Sequence, residues 1–135
     1  MSLVVDSSMA LAWCLRDEGT GATAAVLRDV IRDGAVAPSL WRLEVGNALQ
    51  TAIRRKRITA EVRDSALADL RALEIVIDDE TDARAWSRTL RLAEQHGLTL
   101  YEAAYLELAD RRGLPLASLD KALCTAAKTL GVRAA

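Results

Sequence analysis

Apolar positions along this chain fall into two alternating kinds of segment. Short runs at Leu3-Val4-Val5, Ala35-Val36-Ala37, Glu74-Ile75-Val76-Ile77 and Leu116-Ala117-Ser118 have the length and polar flanks of buried strands. Longer stretches between them carry apolar residues at helical spacing. The pattern predicts a helix from near Ser7 through Trp13 and another over 22–32, with Ala25, Val26, Val30 and Ile31 along it. A strong helix follows over 39–55, with Trp41, Val45, Ala48, Leu49, Ala52 and Ile53 on one side. Thr59 reads as the N-cap of a helix ending near Leu73. Thr81 opens a helix carrying Ala83, Trp86, Leu90 and Ala93, closed by His96-Gly97. Helices are also predicted over 101–112 and 121–130, and Val132 to Ala134 carries a last edge-strand signal. Such alternation predicts an α/β sandwich around a mostly parallel sheet.

With 135 residues, 51% of them hydrophobic, the chain has material for one core, so a single domain over 1–135 is expected. No uncharged stretch approaches the roughly 20 apolar residues of a membrane span. Asp6 interrupts the first apolar run, unlike a secretory signal, and the expected location is the cytoplasm, with no membrane partner. Cys14 and Cys124 both lie in apolar helical contexts and are expected as buried free thiols. One histidine, His96, and no CxxC leave no ligand set for structural zinc, so any metal here is oxygen-ligated. Arginine supplies 15 of the 18 basic residues, which suits phosphate recognition, although a net charge of −1 neither demands nor excludes RNA.

Four carboxylates break the apolar pattern. Asp6 closes the first run, Glu44 stands in Leu40-Trp41-Arg42-Leu43-Glu44, Glu102 in Leu98-Thr99-Leu100-Tyr101-Glu102-Ala103, and Asp120 follows Ser118-Leu119. Asp6 and Asp120 also fit as N-caps or first-turn acids, and Glu44 as a surface residue. Glu102 is harder to dismiss, because it lies near the middle of an apolar stripe with Leu98, Tyr105, Leu106 and Ala109. In an open parallel sheet, ligands bind beyond the carboxyl ends of strands where the strand order reverses, and Asp6 and Asp120 both follow strands. Two carboxylates about 4 Å apart repel by roughly 4 kcal/mol at an effective dielectric of 20. If the fold brings all four together, the natural compensator is Mg²⁺ or Mn²⁺, and the natural chemistry is phosphodiester hydrolysis.

Four segments carry a resemblance over essentially the whole chain: Val4-Val5-Asp6-Ser7-Ser8-Met9-Ala10-Leu11-Ala12-Trp13; Pro38 to Leu49, with Glu44 and Asn47; Gly97 to Ala109 around Tyr101-Glu102-Ala103; and Leu116-Ala117-Ser118-Leu119-Asp120-Lys121. In that order and spacing they resemble PIN-domain ribonucleases, and among them the VapC-type toxins of toxin–antitoxin pairs. The resemblance implies a three-layer α/β/α sandwich with four or five strands. It also implies Mg²⁺- or Mn²⁺-dependent endoribonuclease activity, an RNA substrate, a homodimer and a cognate antitoxin that covers the acidic pocket. Asp6, Glu44, Glu102 and Asp120 take the catalytic positions, with metal at Asp6, Glu102 and Asp120 and support from Ser8, Ser118 and Asn47. Glu102 departs from the aspartate usual in its setting, and one extra methylene moves a carboxylate by about 1 Å.

Other features carry less. Arg54, Arg55, Lys56 and Arg57 are expected first as the cations that a helix C-terminus favours, and only weakly as a site for RNA phosphates. Trp13, Trp41 and Trp86 are expected in the core and His96 at a helix end. Two alternatives compete with the nuclease. One is a PIN-like binding module with a decayed site. The other is a receiver-type phosphoacceptor domain using Asp78 or Asp79, which leaves Glu102 without a role.

Overall fold

The computed structural model describes residues 2–135. Strands β1 (Leu3–Val5), β2 (Ala35–Ala37), β3 (Ile75–Ile77) and β4 (Leu116–Ala117) form one parallel sheet in the order β3-β2-β1-β4. Helices α1 (Ser7–Cys14) and α2 (Gly21–Asp33) join β1 to β2, and α3 (Trp41–Arg54) and α4 (Ala60–Ala72) join β2 to β3. The return to β4 runs through α5 (Thr81–Arg84), α6 (Arg88–His96) and α7 (Leu100–Arg112), and α8 (Lys121–Leu130) follows. Helix α1 packs against α2 and α3, while α7 packs against α6, α8, β1 and β4. The sheet lies between these two helical groups, which is the expected α/β/α sandwich. Leu49, Leu92, Leu106, Leu108 and Leu123 are among its fully buried side chains.

This strand order positions the site. The chain moves from β1 outward to β2 and β3, then returns to place β4 on the other side of β1. The reversal therefore falls between β1 and β4, with Val5 opposite Ala117. Gly34 makes the turn from α2 into β2 at φ 76, and a Cβ there would meet the Glu74 carbonyl at 3.0 Å. Thr59 caps α4 as expected, accepting from the Val62 amide at 3.2 Å.

Four local expectations fail. The stretch from Thr81 to His96 is two helices, because the chain turns at 85–87 and Ser87 donates to the Arg84 carbonyl from both N–H and Oγ. That turn resets the helical phase: Thr89, Leu92 and Ala93 are buried in α6, while Trp86 is 89% exposed instead of joining the core. Trp41 is buried and Trp13 partly so. The last residues make one parallel bridge, Leu116 to Ala134, so among the described residues the sheet has four strands and no fifth. Both cysteines are free, but Cys14 is only half-buried and Cys124 is exposed, since the core side of α8 is taken by Leu123, Ala126 and Ala127.

Candidate active site

Each of the four sequence-predicted acids sits at the N-terminal end of a helix. Asp6 caps α1 and Asp120 caps α8, accepting from the Met9 and Leu123 amides, each at 2.9 Å. Glu44 lies in the first turn of α3. Glu102 is the third residue of α7 and completes a capping box with Thr99, whose amide donates to its Oε1 at 2.8 Å. Glu102 thus has a local role besides its place in the apolar stripe: it is half-buried and held by its own helix start. Helix N-termini carry partial positive charge, which makes these acids cheaper to gather without neutralising them.

Contacts between distant segments draw the acids together. Ser118, one residue past β4, donates to Asp6 Oδ2 at 2.5 Å, and Ser8 donates to Asp6 Oδ1 at 2.7 Å. Ser8 Oγ accepts from the Leu119 amide at 2.9 Å, and Ser118 Oγ from the Asp120 amide at 3.0 Å. These two hydroxyls lock the ends of β1 and β4 into one unit. Tyr105 on α7 donates to Glu44 Oε1 at 2.5 Å. Asn47 is exposed, and no hydrogen bond joins it to the acids among the described residues.

The electrostatics show the same convergence. Burial pushes the Asp6 carboxyl above its ordinary value; the Ser118, Met9 and Ser8 bonds oppose this, and the Asp120 charge adds to it. Burial also raises Glu44 against the Tyr105 bond, aided by the charges of Asp6 and Glu102. Among the described residues, no lysine or arginine pairs with any of the four acids. An all-oxygen donor set with uncompensated negative charge fits a hard dication. No three of these carboxylates come within 4.8 Å of one another, so a dication here would meet one or two of them directly and reach the others through water.

A tighter triplet, Asp78, Asp79 and Glu80, lies elsewhere. Asp78 is 1% exposed and already engaged by Arg111 at 2.7 Å, Arg112 at 3.3 Å and Thr81 at 3.1 Å. Arg111 also binds the buried Glu107 at 2.7 Å and Glu80 at 3.2 Å. Two guanidinium groups occupy the place a cation would take, and a buried, ion-paired Asp78 is no open phosphoacceptor. Sequence reasoning missed this network because Glu107 and Arg111 read as ordinary charges. It also missed Tyr105 as a site residue. The available signal was a phenol in a buried run, which needs a polar partner.

The basic residues Arg54, Arg55, Lys56 and Arg57 lie at the far end of α3, about 15 Å along the helix from Glu44. All four are exposed, and Arg57 pairs with Asp17 at 2.9 Å and Glu18 at 3.4 Å. No described helix is long and apolar enough to cross a membrane.

Comparison with known proteins agrees with the fold and the sequence motifs. Ribonuclease VapC1 from two strains of Mycobacterium tuberculosis is 35% identical over 114 residues, 80% of this chain and 80% of that protein. The crystal structure of PAE2754 from Pyrobaculum aerophilum has a TM-score of 0.66 at 27% identity, covering 93% of this chain and 87% of its own. That of FitAcB from Neisseria gonorrhoeae has a TM-score of 0.65 at 16% identity, covering 99% and 96%, and shares the fold. Residues 3–129 match the PIN domain, and the chain belongs to that family.

Proposed function

We propose that this chain is a metal-dependent endoribonuclease toxin of the VapC type, hydrolysing RNA phosphodiester bonds and neutralised by a cognate antitoxin. The observation that carries this reading is the gathering of Asp6, Glu44, Glu102 and Asp120 around the β1/β4 switch point with no basic side chain among the described residues paired with them. Likeness to a ribonuclease over 80% of both chains supports the substrate class. Asp6, Glu102 and Asp120 would hold Mg²⁺ or Mn²⁺. A dication held there would supply Lewis-acid activation of water and would offset charge on the phosphoryl oxygens. Glu44 orients the attacking water and takes its proton. The bonds from Ser8, Ser118 and the Met9 amide hold Asp6 in one orientation throughout.

An uncompensated acid pocket also suits an arginine supplied by a protein partner, which would compete with metal for the same oxygens. Beside α1, α2 and α4 runs an apolar trough of about 1100 Å³ lined by residues including Trp13, Leu27, Ile31, Val62 and Leu70, a surface that favours an antitoxin peptide. A homodimer in the cytoplasm completes the proposal, by analogy with the family.

Incubating the Mn²⁺-loaded protein with structured RNA tests the proposal: cleavage is expected, and EDTA stops it. Asp6→Asn reduces the rate more than about 100-fold, since loss of a supporting partner alone costs a metal site 10–100-fold. Undiminished cleavage by Asp6→Asn rules the mechanism out. Glu102→Asp restores the family's usual length and preserves or raises the rate.

A further inference from the structure

We propose that Tyr105 is a positioning residue for the reaction, anchoring Glu44 from across the molecule so that one carboxylate oxygen, Oε2, is left to act. This rests on the nuclease reading and names a residue through which Glu44 works. Asp6, Glu102 and Asp120 each have an oxygen held by a backbone amide at a helix start. Glu44 has none: it lies in the first turn of α3, whose N-cap, Leu40, makes no side-chain bond. Its one hydrogen-bond donor among the described residues is the Tyr105 hydroxyl, 61 positions along the chain, at 2.5 Å.

The donor itself is well fixed. Tyr105 is 2% exposed, in the stretch of α7 from Ala103 to Ala109 that is buried throughout. Burial and the Glu44 charge push its phenol far above its ordinary range, so it stays protonated and can only donate to the carboxylate at any working pH. A glutamate side chain has three rotatable bonds and, without this anchor, samples several arrangements of a half-exposed carboxylate. The same bond links α3, which carries Glu44, to α7, which carries Glu102, so a single hydroxyl sets the relation between two of the four acids.

Tyr105→Phe removes the hydroxyl and keeps the ring that fills the core. In metal-free protein at pH 8, the Glu44 carboxyl-carbon NMR resonance is expected to move in Tyr105→Phe. It stays in place in Tyr101→Phe, whose phenol is exposed and distant in role. Cleavage by Tyr105→Phe falls about tenfold in kcat with KM for RNA unchanged, the loss expected for one hydrogen bond to a charged group. Because the effect passes through Glu44, Tyr105→Phe adds no further loss in a Glu44→Gln background. An unmoved resonance, an unchanged kcat, or losses that multiply in the double variant overturns the proposal. Should the wild type cleave no RNA, the nuclease reading falls, and the resonance still decides whether Tyr105 sets Glu44.

Discussion

Asp6 and Asp78 are both nearly inaccessible aspartates placed directly after parallel strands, β1 and β3, yet their surroundings are opposite. Burial alone would push the Asp78 carboxyl up; Arg111, Thr81 and Arg112 outweigh it and hold the group below its ordinary value. Asp6 meets hydroxyls, one amide and other acids, so burial prevails and its carboxyl is raised. A buried carboxylate given guanidinium partners serves the fold. One left beside other carboxylates stores an unmet demand for positive charge, and that demand is what a dication answers. The triplet with the shortest spacing is therefore the poorer metal site. Compensation, more than proximity, separates the structural acids from those proposed to act here.

The largest expected effect breaks the compensated side. Arg111→Met leaves Asp78 and Glu107 buried without their main partner and destabilises the protein by about 3–5 kcal/mol. Urea unfolding measures it, and a loss under 1 kcal/mol would show the network to be dispensable. On the other side, Asp6→Asn keeps a good N-cap and removes a repelling charge, so metal-free stability holds or rises.

Mn²⁺ provides the next contrast. At about 100-fold above its dissociation constant, a ligand of the native state adds roughly 2.7 kcal/mol, which raises Tm by several degrees. Differential scanning calorimetry at pH 7 is expected to show that gain in the wild type and lose it in Asp6→Asn. A gain that survives Asp6→Asn would move the metal site elsewhere, with the Asp78 triplet the first place to look.

Acid and base separate the two groups by sign. Asp6 and Glu44 have folded values above the ordinary 3.8 and 4.5, so the native state holds more protons than the unfolded one at mildly acidic pH. Their contribution is present below about pH 4 and lost as pH rises through the folded values. Asp78 and Glu80 are lowered, so their contribution is present above about pH 4 and lost as pH falls. Urea midpoints measured against pH in EDTA should peak in the acid range, and Asp6→Asn should flatten the upper limb alone. A monotonic rise toward neutral pH would contradict the assignment. The smallest effect is Trp86→Ser, which changes stability by less than about 0.5 kcal/mol because the indole is solvent-exposed, and the same unfolding measurement checks it.

Local pattern marked the four strands of the sheet and most helix starts, and it singled out the four acids as candidates. Each depends on neighbours within about four residues: an apolar run, a capping residue, a charge breaking a stripe. Ser8 and Ser118 were also legible, through their spacing of two from Asp6 and Asp120. Where the pattern misled, the cause was a local alternative it did not weigh. The Ser87 turn put Trp86 outside, and the Thr99 capping box gave Glu102 a second reason to exist.

Pairings across long separations belong to the folded chain. Ser118 meets Asp6 over 112 positions, Tyr105 meets Glu44 over 61, and Arg111 meets Asp78 over 33. No spacing rule relates such residues, because their distance is set by strand order and by how α7 lies against its neighbours. Whether a carboxylate ends beside an arginine or beside another carboxylate is a property of that packing. For this protein, it separates the acids that hold the fold from those assigned to its chemistry.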